Sequence, residues 1–305
     1  LGIPDLVPFD MGGTSTDISL ISDGRAALSA AGALAGQRIA LRSLDITSIA
    51  AGGGSIADVD AGGSFHVGPE SAGSVPGPAC YGNGGTDVAV TDANVVLGYL
   101  DADAFMGGKR PLDRAASDAA MDRLAAKLGL SRDAAAAGVY RMINLKMADG
   151  IRLTTLRRGV DPRRFTLLSF GGAAGLHCAE VARELEIKRI VVPTAASVLS
   201  AWGMLTSDLR YEVSRTYLDS GKRIQSSEVR ALFAELEAQA AGRLRSWFDG
   251  PMTIQRSAEM RYGEQIFEID VPLDRLDMDD PALAAQIEER FHRRHEDLYT
   301  YASPD

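Results

Sequence analysis

A run of small, hydroxyl-bearing and acidic residues lies near the start of the chain. Residues 10–17 read Asp-Met-Gly-Gly-Thr-Ser-Thr-Asp and follow a short apolar run at 6–9. Adjacent glycines let a backbone approach a polyanion closely, and successive N–H groups and hydroxyls can then bind phosphate oxygens. We therefore predict a phosphate-binding loop whose contacts come from Gly12, Gly13, Thr14, Ser15 and Thr16.

An aspartate stands at each end of this loop. A carboxylate at Asp10 suits a water-coordinated Mg²⁺ or an attacking water, because direct contact with a phosphate would be repulsive. Asp17 could hold the turn or help to order the metal. Both are candidate catalytic residues, and Asp10 is the candidate metal residue. A plain glycine-rich hairpin is the alternative interpretation.

The loop differs from two common nucleotide-binding motifs. The chain contains no G-x-x-x-x-G-K-[ST] segment, which excludes a Walker A loop. A Rossmann fingerprint would lead into a helix, whereas Asp17 leads into a second apolar run that favours a strand.

A second cluster of small residues follows the apolar run at 165–170. It comprises Gly171, Gly172, Ala173 and Gly175. Tight packing between a strand and a helix would explain these glycines, but the geometry also admits a flat or anionic ligand at a helix N-terminus. Because a nucleotide needs one surface for its phosphates and another for its base and sugar, the two clusters together predict a nucleotide site. His177 follows at the helix start and is a candidate for substrate or metal contact, or for a local hydrogen bond.

The surrounding pattern predicts an α/β fold, because strands and helices alternate along it. Val139, Ile143, Met147 and Ile151 recur every four residues and mark the buried stripe of a long helix. Gly150 lies inside this helix and weakens it by about 1 kcal/mol relative to alanine. The predicted strands flank the 10–17 loop and cover 165–170 and 189–192, and the predicted helices cover 117–128, 134–158, 176–185 and 195–206.

We expect two domains. The first spans 1–207 and contains a glycine-rich, loop-rich insertion at about 29–111 that forms or covers a site. The second, at 208–305, has a helix at 227–247, strands at 253–262 and 266–271, and a helix at 281–299, which predicts a smaller α+β domain. The chain starts without Met and enters a strand almost at once, so we expect the second part of a longer polypeptide.

Composition narrows the function classes. The chain has 305 residues, 46% hydrophobic and 24% charged, with a net charge of −9. The negative charge disfavours nucleic acid or an anionic membrane as the main partner, and no apolar run reaches the roughly 18 to 20 residues of a membrane span. Cys80 and Cys178 have no metal-binding spacing, which favours a reduced cytoplasmic compartment.

Several other polar residues have two interpretations. Cys80 is a nucleophile or metal ligand, or a buried structural thiol. Asp92 is a helix cap or a site residue. His292 and His295 lie on a charged helix and are predicted to be solvated.

The sequence resembles the hydantoinase A/oxoprolinase family, within the superfamily of actin, sugar kinases and heat-shock ATPases. The resemblance is carried by residues 10–17 and, in order, by 52–56, 67–73, 76–82, 91–98, 158–163 and 202–204. It is strong over about 8–216 and looser through 260–262 and 291–301. The chain departs from the family at Ala174-Gly175, where members often have Gly-Pro.

This resemblance implies a ribonuclease-H-like, actin-like ATPase lobe. Residues 10–17 match the second of two phosphate loops and 171–175 match the adenosine-side turn, so the chain would supply one face of a cleft for ATP and Mg²⁺. The implied activity is hydrolysis of a hydantoin-like or 5-oxoproline-like ring after phosphorylation of the amide oxygen, with a hydantoinase B-type partner. The alternatives are a ketone carboxylase subunit and a nucleotide-binding lobe that is inactive alone.

Overall fold

The computed structural model describes residues 2–29, 32–34, 37–39, 43–217, 225–263, 265–266 and 268–303. The chain divides into two compact units, Leu1–Thr206 and Ser207–Asp305. Residues 30–31, 35–36 and 40–42 of the predicted insertion lie outside the described residues.

The secondary-structure elements are numbered along the chain. The strands are β1 Leu6–Met11, β2 Thr16–Ile18, β3 Ile21–Ser22, β4 Arg25–Ala26, β5 Leu28–Ser29, β6 Gly32–Leu34, β7 Gln37–Ile39, β8 Ser43–Leu44, β9 Thr47–Ile49, β10 Ser55–Val59, β11 Phe65–Ser71, β12 Val88–Ala89, β13 Thr166–Phe170, β14 Ile190–Val191, β15 Ser257–Met260 and β16 Ile269–Pro272. The α-helices are α1 Val90–Val96, α2 Arg114–Leu128, α3 Arg132–Leu156, α4 Cys178–Glu184, α5 Leu199–Leu205, α6 Ser226–Arg245 and α7 Leu283–Tyr299. Short 3₁₀ helices cover Ala79–Tyr81, Phe105–Gly108, Pro162–Arg164, Ala174–Leu176 and Ala196–Val198.

The main sheet of the first unit has the strand order β14-β13-β1-β2-β9. Strands β13 and β14 run parallel to β1, whereas β2 is antiparallel to β1 and β9 is antiparallel to β2. Strand β1 is almost wholly buried, as its continuous apolar run predicts for a central strand. Asp10 lies beside Phe170 of β13 on one side and Asp17 of β2 on the other, so both glycine clusters follow strands at one sheet edge. The α/β prediction is confirmed.

Helix α3 supplies the largest part of the core against this sheet. Its stripe of Val139, Ile143, Met147 and Ile151 is fully buried, as the four-residue spacing predicts. Gly150 has a packing reason, since a Cβ there would lie 2.9 Å from Cδ1 of Ile18 and 3.0 Å from Cδ1 of Ile49. Glycine lowers the helix propensity at this position but allows α3 to pack closely on β2 and β9.

The segment predicted as a loop-rich insertion is more regular than its glycine content indicates. Strand β9 belongs to the main sheet, and strands β11, β10 and β12 form a separate three-stranded sheet in that order. Helix α1 follows β12 directly and is buried along its whole length. The glycines lie mainly in the turns between short strands, where a composition count cannot distinguish them from an extended loop.

The second unit is a small α+β arrangement. Strands β15 and β16 pair antiparallel. The buried core of this unit comprises Ile269, Val271, Leu273, Leu283, Ile287 and Phe291, the first two of which lie on β16. The prediction that His295 is solvated is wrong: its ring is fully buried, 2.6 Å from the Gln265 amide nitrogen and 2.8 Å from the Tyr301 carbonyl oxygen. In the described parts of both units, no helix combines the length and apolarity needed to cross a bilayer.

Candidate active site

The 10–17 loop is a tight connection between β1 and β2. The Gly12 N–H donates to the Ser15 carbonyl over 3.1 Å and closes the turn. Gly13 and Thr14 lie exposed at its tip. The strand–loop–strand geometry predicted from the sequence is confirmed.

A second glycine loop, residues 52–54, packs directly against the first. The Gly53 N–H donates to the Gly12 carbonyl over 3.0 Å, and the Gly54 N–H donates to the Gly13 carbonyl over 2.6 Å. A Cβ at Gly52 would lie 2.6 Å from both the carbonyl carbon of Gly13 and the nitrogen of Thr14, so no side chain fits there. The 52–54 glycines, which follow β9, thus hold the 10–17 loop in place through these backbone hydrogen bonds.

Helix α1 in turn holds the 52–54 loop. The backbone N–H and the hydroxyl of Thr91 both donate to the Gly53 carbonyl, each over 2.7 Å. The sequence assigned 52–56 only to a family segment and did not predict this contact. Three successive glycines were the available signal, because such a run permits two backbones to approach closely.

The 171–175 turn reaches the same place from β13. Gly171 has φ of 91° and donates its N–H to the Ala196 carbonyl over 2.9 Å, and the Ala173 N–H donates to the Met11 carbonyl over 2.9 Å. A Cβ at Gly171 would lie 2.3 Å from Oδ1 of Asp10. The structure therefore brings together the two glycine clusters that the sequence singled out.

Asp10 and Asp17 lie opposite each other on β1 and β2, beside the loop. Oδ2 of Asp10 accepts a hydrogen bond from the Ser200 hydroxyl over 2.7 Å. Oδ1 of Asp17 accepts one from the Ser48 hydroxyl on β9. Sequence reasoning missed both serines, since each comes from a separate segment and lies in no motif.

Unused backbone donors surround the end of β1. Within the described residues, the N–H groups of Gly13, Thr14 and Gly172 form no hydrogen bond with the protein. An added Cβ at Gly13 or Gly172 would meet nothing within 4 Å, so open space lies beside these residues. Exposed N–H groups at a glycine turn are the groups that bind phosphate oxygens elsewhere, and these residues therefore fit a polyphosphate.

The donor set also fits the way in which proteins hold nucleotide-bound Mg²⁺. No group of three or more His, Cys, Asp or Glu side chains in the described parts of the chain is placed to hold a metal ion by itself. Mg²⁺ usually keeps several waters and takes one or two carboxylates together with substrate phosphates. Asp10, next to the unused N–H groups, matches that arrangement.

The proposed role of Thr16 in phosphate binding is not supported by its position. Its side chain is fully buried, and its hydroxyl donates to the Ala51 carbonyl over 2.6 Å. Residues of a strand point alternately to opposite faces, and Thr16 is already the first residue of β2. Its hydroxyl therefore ties β2 to the chain before the 52–54 loop.

The candidate catalytic role of His177 is also corrected by the structure. The ring is fully buried, with Nδ1 2.9 Å from Oδ1 of Asn144 and Nε2 3.1 Å from Nδ2 of Asn94. It stacks on Tyr140 with the ring centroids 5.0 Å apart. Desolvation lowers the pKa of His177 to about 4, so the ring is neutral at ordinary pH. The buried His177 ring therefore joins α1, α3 and α4 in the core.

The Thr14 hydroxyl at the loop tip lies beside a residue of the three-stranded sheet. Oγ1 of Thr14 lies 3.3 Å from Oγ of Ser71, at the end of β11. Ser15 is half-buried, while Gly172 and Gly175 are exposed on the other side of the cluster. Thr14 and Ser15 remain the hydroxyl candidates for a phosphate contact.

Asp92 and Cys80 have structural roles. The Asp92 carboxylate is fully buried and accepts hydrogen bonds from the N–H groups of Ala79, Cys80 and Ala89 and from the Ser117 hydroxyl. Burial raises the pKa of the Cys80 thiol, and the Asp92 charge adds to this effect. A protonated, buried thiol is a poor nucleophile.

Comparison with known proteins matches this arrangement to one family. The model of the hydantoinase/oxoprolinase family matches residues 1–213, which contain every segment of the site. The chain belongs to the hydantoinase/oxoprolinase family. The family resemblance inferred from the sequence is thereby confirmed.

Members of the hydantoinase/oxoprolinase family with different activities are similar to this chain. The caprolactamase subunit alpha of Pseudomonas jessenii is 41% identical over 100% of the chain and 44% of its own length. The crystal structure of the ATP-dependent caprolactamase of that species aligns with a TM-score of 0.73 at 39% identity, covering 100% of this chain and 45% of that one. A 5-oxoprolinase of Pestalotiopsis fici is 40% identical over 68% of the chain and 17% of its own length.

A carboxylase also shares the fold. A nucleotide-free structure of acetone carboxylase, from work on ATP-dependent acetone carboxylation, aligns with a TM-score of 0.83 at 27% identity. The alignment covers 98% of this chain and 44% of the acetone carboxylase chain. The chain thus spans less than half the length of these relatives, which include an ATP-dependent caprolactamase and an enzyme of ATP-dependent acetone carboxylation.

Proposed function

We propose that this chain provides an ATP-binding face of an enzyme that hydrolyses cyclic amides of the hydantoin or 5-oxoproline type. The observation that carries the proposal is the group of unused N–H donors of Gly13, Thr14 and Gly172 beside Asp10. Two of the relatives reported above, a caprolactamase and a 5-oxoprolinase, are named for reactions of cyclic amides. The proposed lobe is ribonuclease-H-like, with the 10–17 loop as a phosphate loop and the 171–175 turn on the adenosine side.

Each residue has a role in this proposal. The Gly13 and Thr14 N–H groups, with the hydroxyls of Thr14 and Ser15, bind phosphate oxygens. Asp10 orders a water bound to Mg²⁺ or the attacking water. Bound Mg²⁺ would neutralise the charge that develops on the phosphates. Asp17, which accepts the Ser48 hydroxyl, keeps β2 aligned with β9 below the loop.

Phosphorylation explains why such an enzyme needs ATP. An amide oxygen is a poor leaving group, and transfer of a phosphoryl group to it makes the ring carbon open to attack by water. The protein contributes mainly position and electrostatic stabilisation to phosphoryl transfer. A rigid glycine cradle, held by the contacts of the 52–54 loop, suits that role.

A ketone carboxylase subunit is the second candidate. It is favoured by the TM-score of 0.83 with acetone carboxylase, higher than the 0.73 with caprolactamase. An enolate oxygen activated by phosphorylation would use the same cradle. In both cases we propose a hydantoinase B-type partner, and the lobe alone would then bind nucleotide without turning it over.

The test measures ATP hydrolysis by the chain, supplied with upstream family sequence and a B-type partner. The arms are a cyclic imide or lactam, and a ketone with bicarbonate. Turnover stimulated by the cyclic amide and lost in Asp10→Ala supports the proposal. Stimulation by the ketone arm alone would select the carboxylase, and equal nucleotide affinity in wild type and Asp10→Ala would contradict the role of Asp10.

A further inference from the structure

The segment before and within α5 returns to the active site at two points. The Ala196 carbonyl accepts the Gly171 N–H over 2.9 Å. The Ser200 hydroxyl, in the first turn of α5, donates to Oδ2 of Asp10 over 2.7 Å. One short stretch therefore holds both the turn beside Asp10 and the carboxylate itself.

The two oxygens of the Asp10 carboxylate have different surroundings. Oδ2 is engaged by Ser200, while Oδ1 lies where a Cβ at Gly171 would come within 2.3 Å. Within the described residues Oδ1 accepts no hydrogen bond. A hydroxyl that binds one oxygen of a carboxylate fixes its rotation and leaves the second oxygen for a ligand.

We propose that Ser200 is a positioning residue that orients Asp10 for the Mg²⁺-dependent part of nucleotide binding. The inference rests on the proposed function, because it assigns Asp10 to the metal-bound water. Ser200 is exposed, so its hydroxyl adds little to the core. Ser197, also exposed and in the preceding 3₁₀ turn, forms no side-chain hydrogen bond with any described residue and provides the matched control.

The first test is a titration with a non-hydrolysable ATP analogue, with Mg²⁺ and with EDTA. A hydrogen bond to a charged group predicts that Ser200→Ala weakens Mg²⁺-nucleotide affinity about tenfold. Affinity in EDTA stays unchanged, and Ser197→Ala behaves as wild type. In the Asp10→Ala background Ser200→Ala has no further effect, because the residue through which it acts is gone. Ser200→Thr retains the hydroxyl and restores affinity. The same fold loss in both backgrounds would overturn the inference.

The second test needs no nucleotide. Hydrogen exchange of the Gly171 amide and of residues 196–205 should accelerate in Ser200→Ala and in Asp10→Ala, but not in Ser197→Ala. Unchanged exchange in both variants would overturn the positioning role whatever the nucleotide affinity. Accelerated exchange in a protein that binds no Mg²⁺-nucleotide would instead support the contact, contradict the ATP-binding function and overturn the inference that Ser200 orients Asp10 for nucleotide binding.

Discussion

Gly171 leaves no room for a methyl group beside Asp10. Its φ of 91° lies in the region that side-chain-bearing residues rarely adopt. In Gly171→Ala the new Cβ would lie 2.3 Å from Oδ1 of Asp10 and 2.5 Å from the Met11 carbonyl oxygen. Because one of these atoms is backbone, the clash cannot be relieved by a flexible side chain alone.

The expected size of the effect follows from the backbone strain. Holding alanine at this φ costs about 1 to 3 kcal/mol of the free energy of unfolding. For a unit of this size the cost corresponds to a fall in Tm of about 2 to 12 °C. Moving Asp10 away from the clash should also weaken Mg²⁺-nucleotide binding, by about tenfold for each 1.4 kcal/mol lost.

Thermal unfolding and nucleotide titration of two matched variants test this prediction. Gly172→Ala is the control, because φ at Gly172 is not positive and its Cβ would meet nothing within 4 Å. It should unfold at the wild-type temperature. If Gly171→Ala unfolded at the same temperature as Gly172→Ala, the reasoning about Asp10 and the turn would be refuted.

Other substitutions separate the structural residues from those that contact nucleotide. Gly52→Ala should lower both stability and nucleotide affinity, because its Cβ would lie 2.6 Å from the 10–17 loop backbone. Gly13→Ala should keep the wild-type Tm but weaken nucleotide binding, because its methyl group fills open space at the loop tip. The reverse pattern in melting and titration would count against the proposed phosphate-binding loop. Thr16→Val should lower the free energy of unfolding in denaturant titration by about 1 to 3 kcal/mol, because it leaves the buried Ala51 carbonyl without its hydrogen-bond donor. An unfolding free energy equal to wild type would contradict the structural role of the Thr16 hydroxyl. The pKa of His177 in the folded protein, about 4, lies below the usual 6.5, so between these pH values the unfolded state binds a proton that the folded state does not. The free energy of unfolding should therefore fall as the pH drops from about 6.5 to 4, by about 3 kcal/mol from this group. His177→Gln should show a shallower pH dependence in the same urea titrations, and an identical slope would refute the assignment.

Local patterns were sufficient for the first unit's main elements. The four-residue spacing from Val139 to Ile151 predicted a buried helix face, and the apolar run before Asp10 predicted a buried strand. Such patterns depend on neighbours along one element, and packing did not override them. The boundaries differ by a few residues, as helix α3 covers Arg132–Leu156 where 134–158 was predicted.

The corrected site residues were those whose role depends on distant partners. Thr16 and Ser15 look alike in sequence, but the position of β2 relative to Ala51 buries only the first. His177 follows a glycine turn, yet Asn94 and Asn144 from two other helices draw it into the core. Neither partner is near in sequence, so no local motif could have predicted these bonds.

Contacts supplied by other segments were likewise invisible in the sequence. Ser200 lies 190 residues from Asp10, and the 52–54 loop, which follows β9 of the main sheet, reaches Gly12 and Gly13 from about 40 residues away along the chain. The glycine runs indicated close approach of backbones but not which backbones. Tertiary pairing decides that, and it fixes the arrangement of the candidate site.

The central claim is that the Gly13 and Thr14 N–H groups bind the phosphates of ATP beside Asp10. A crystal structure of the chain with Mg²⁺ and a non-hydrolysable ATP analogue tests it most directly. We expect phosphate oxygens within about 3 Å of both nitrogens, with the metal-bound water on Asp10. A nucleotide bound elsewhere, with this loop contacting only solvent, would contradict it.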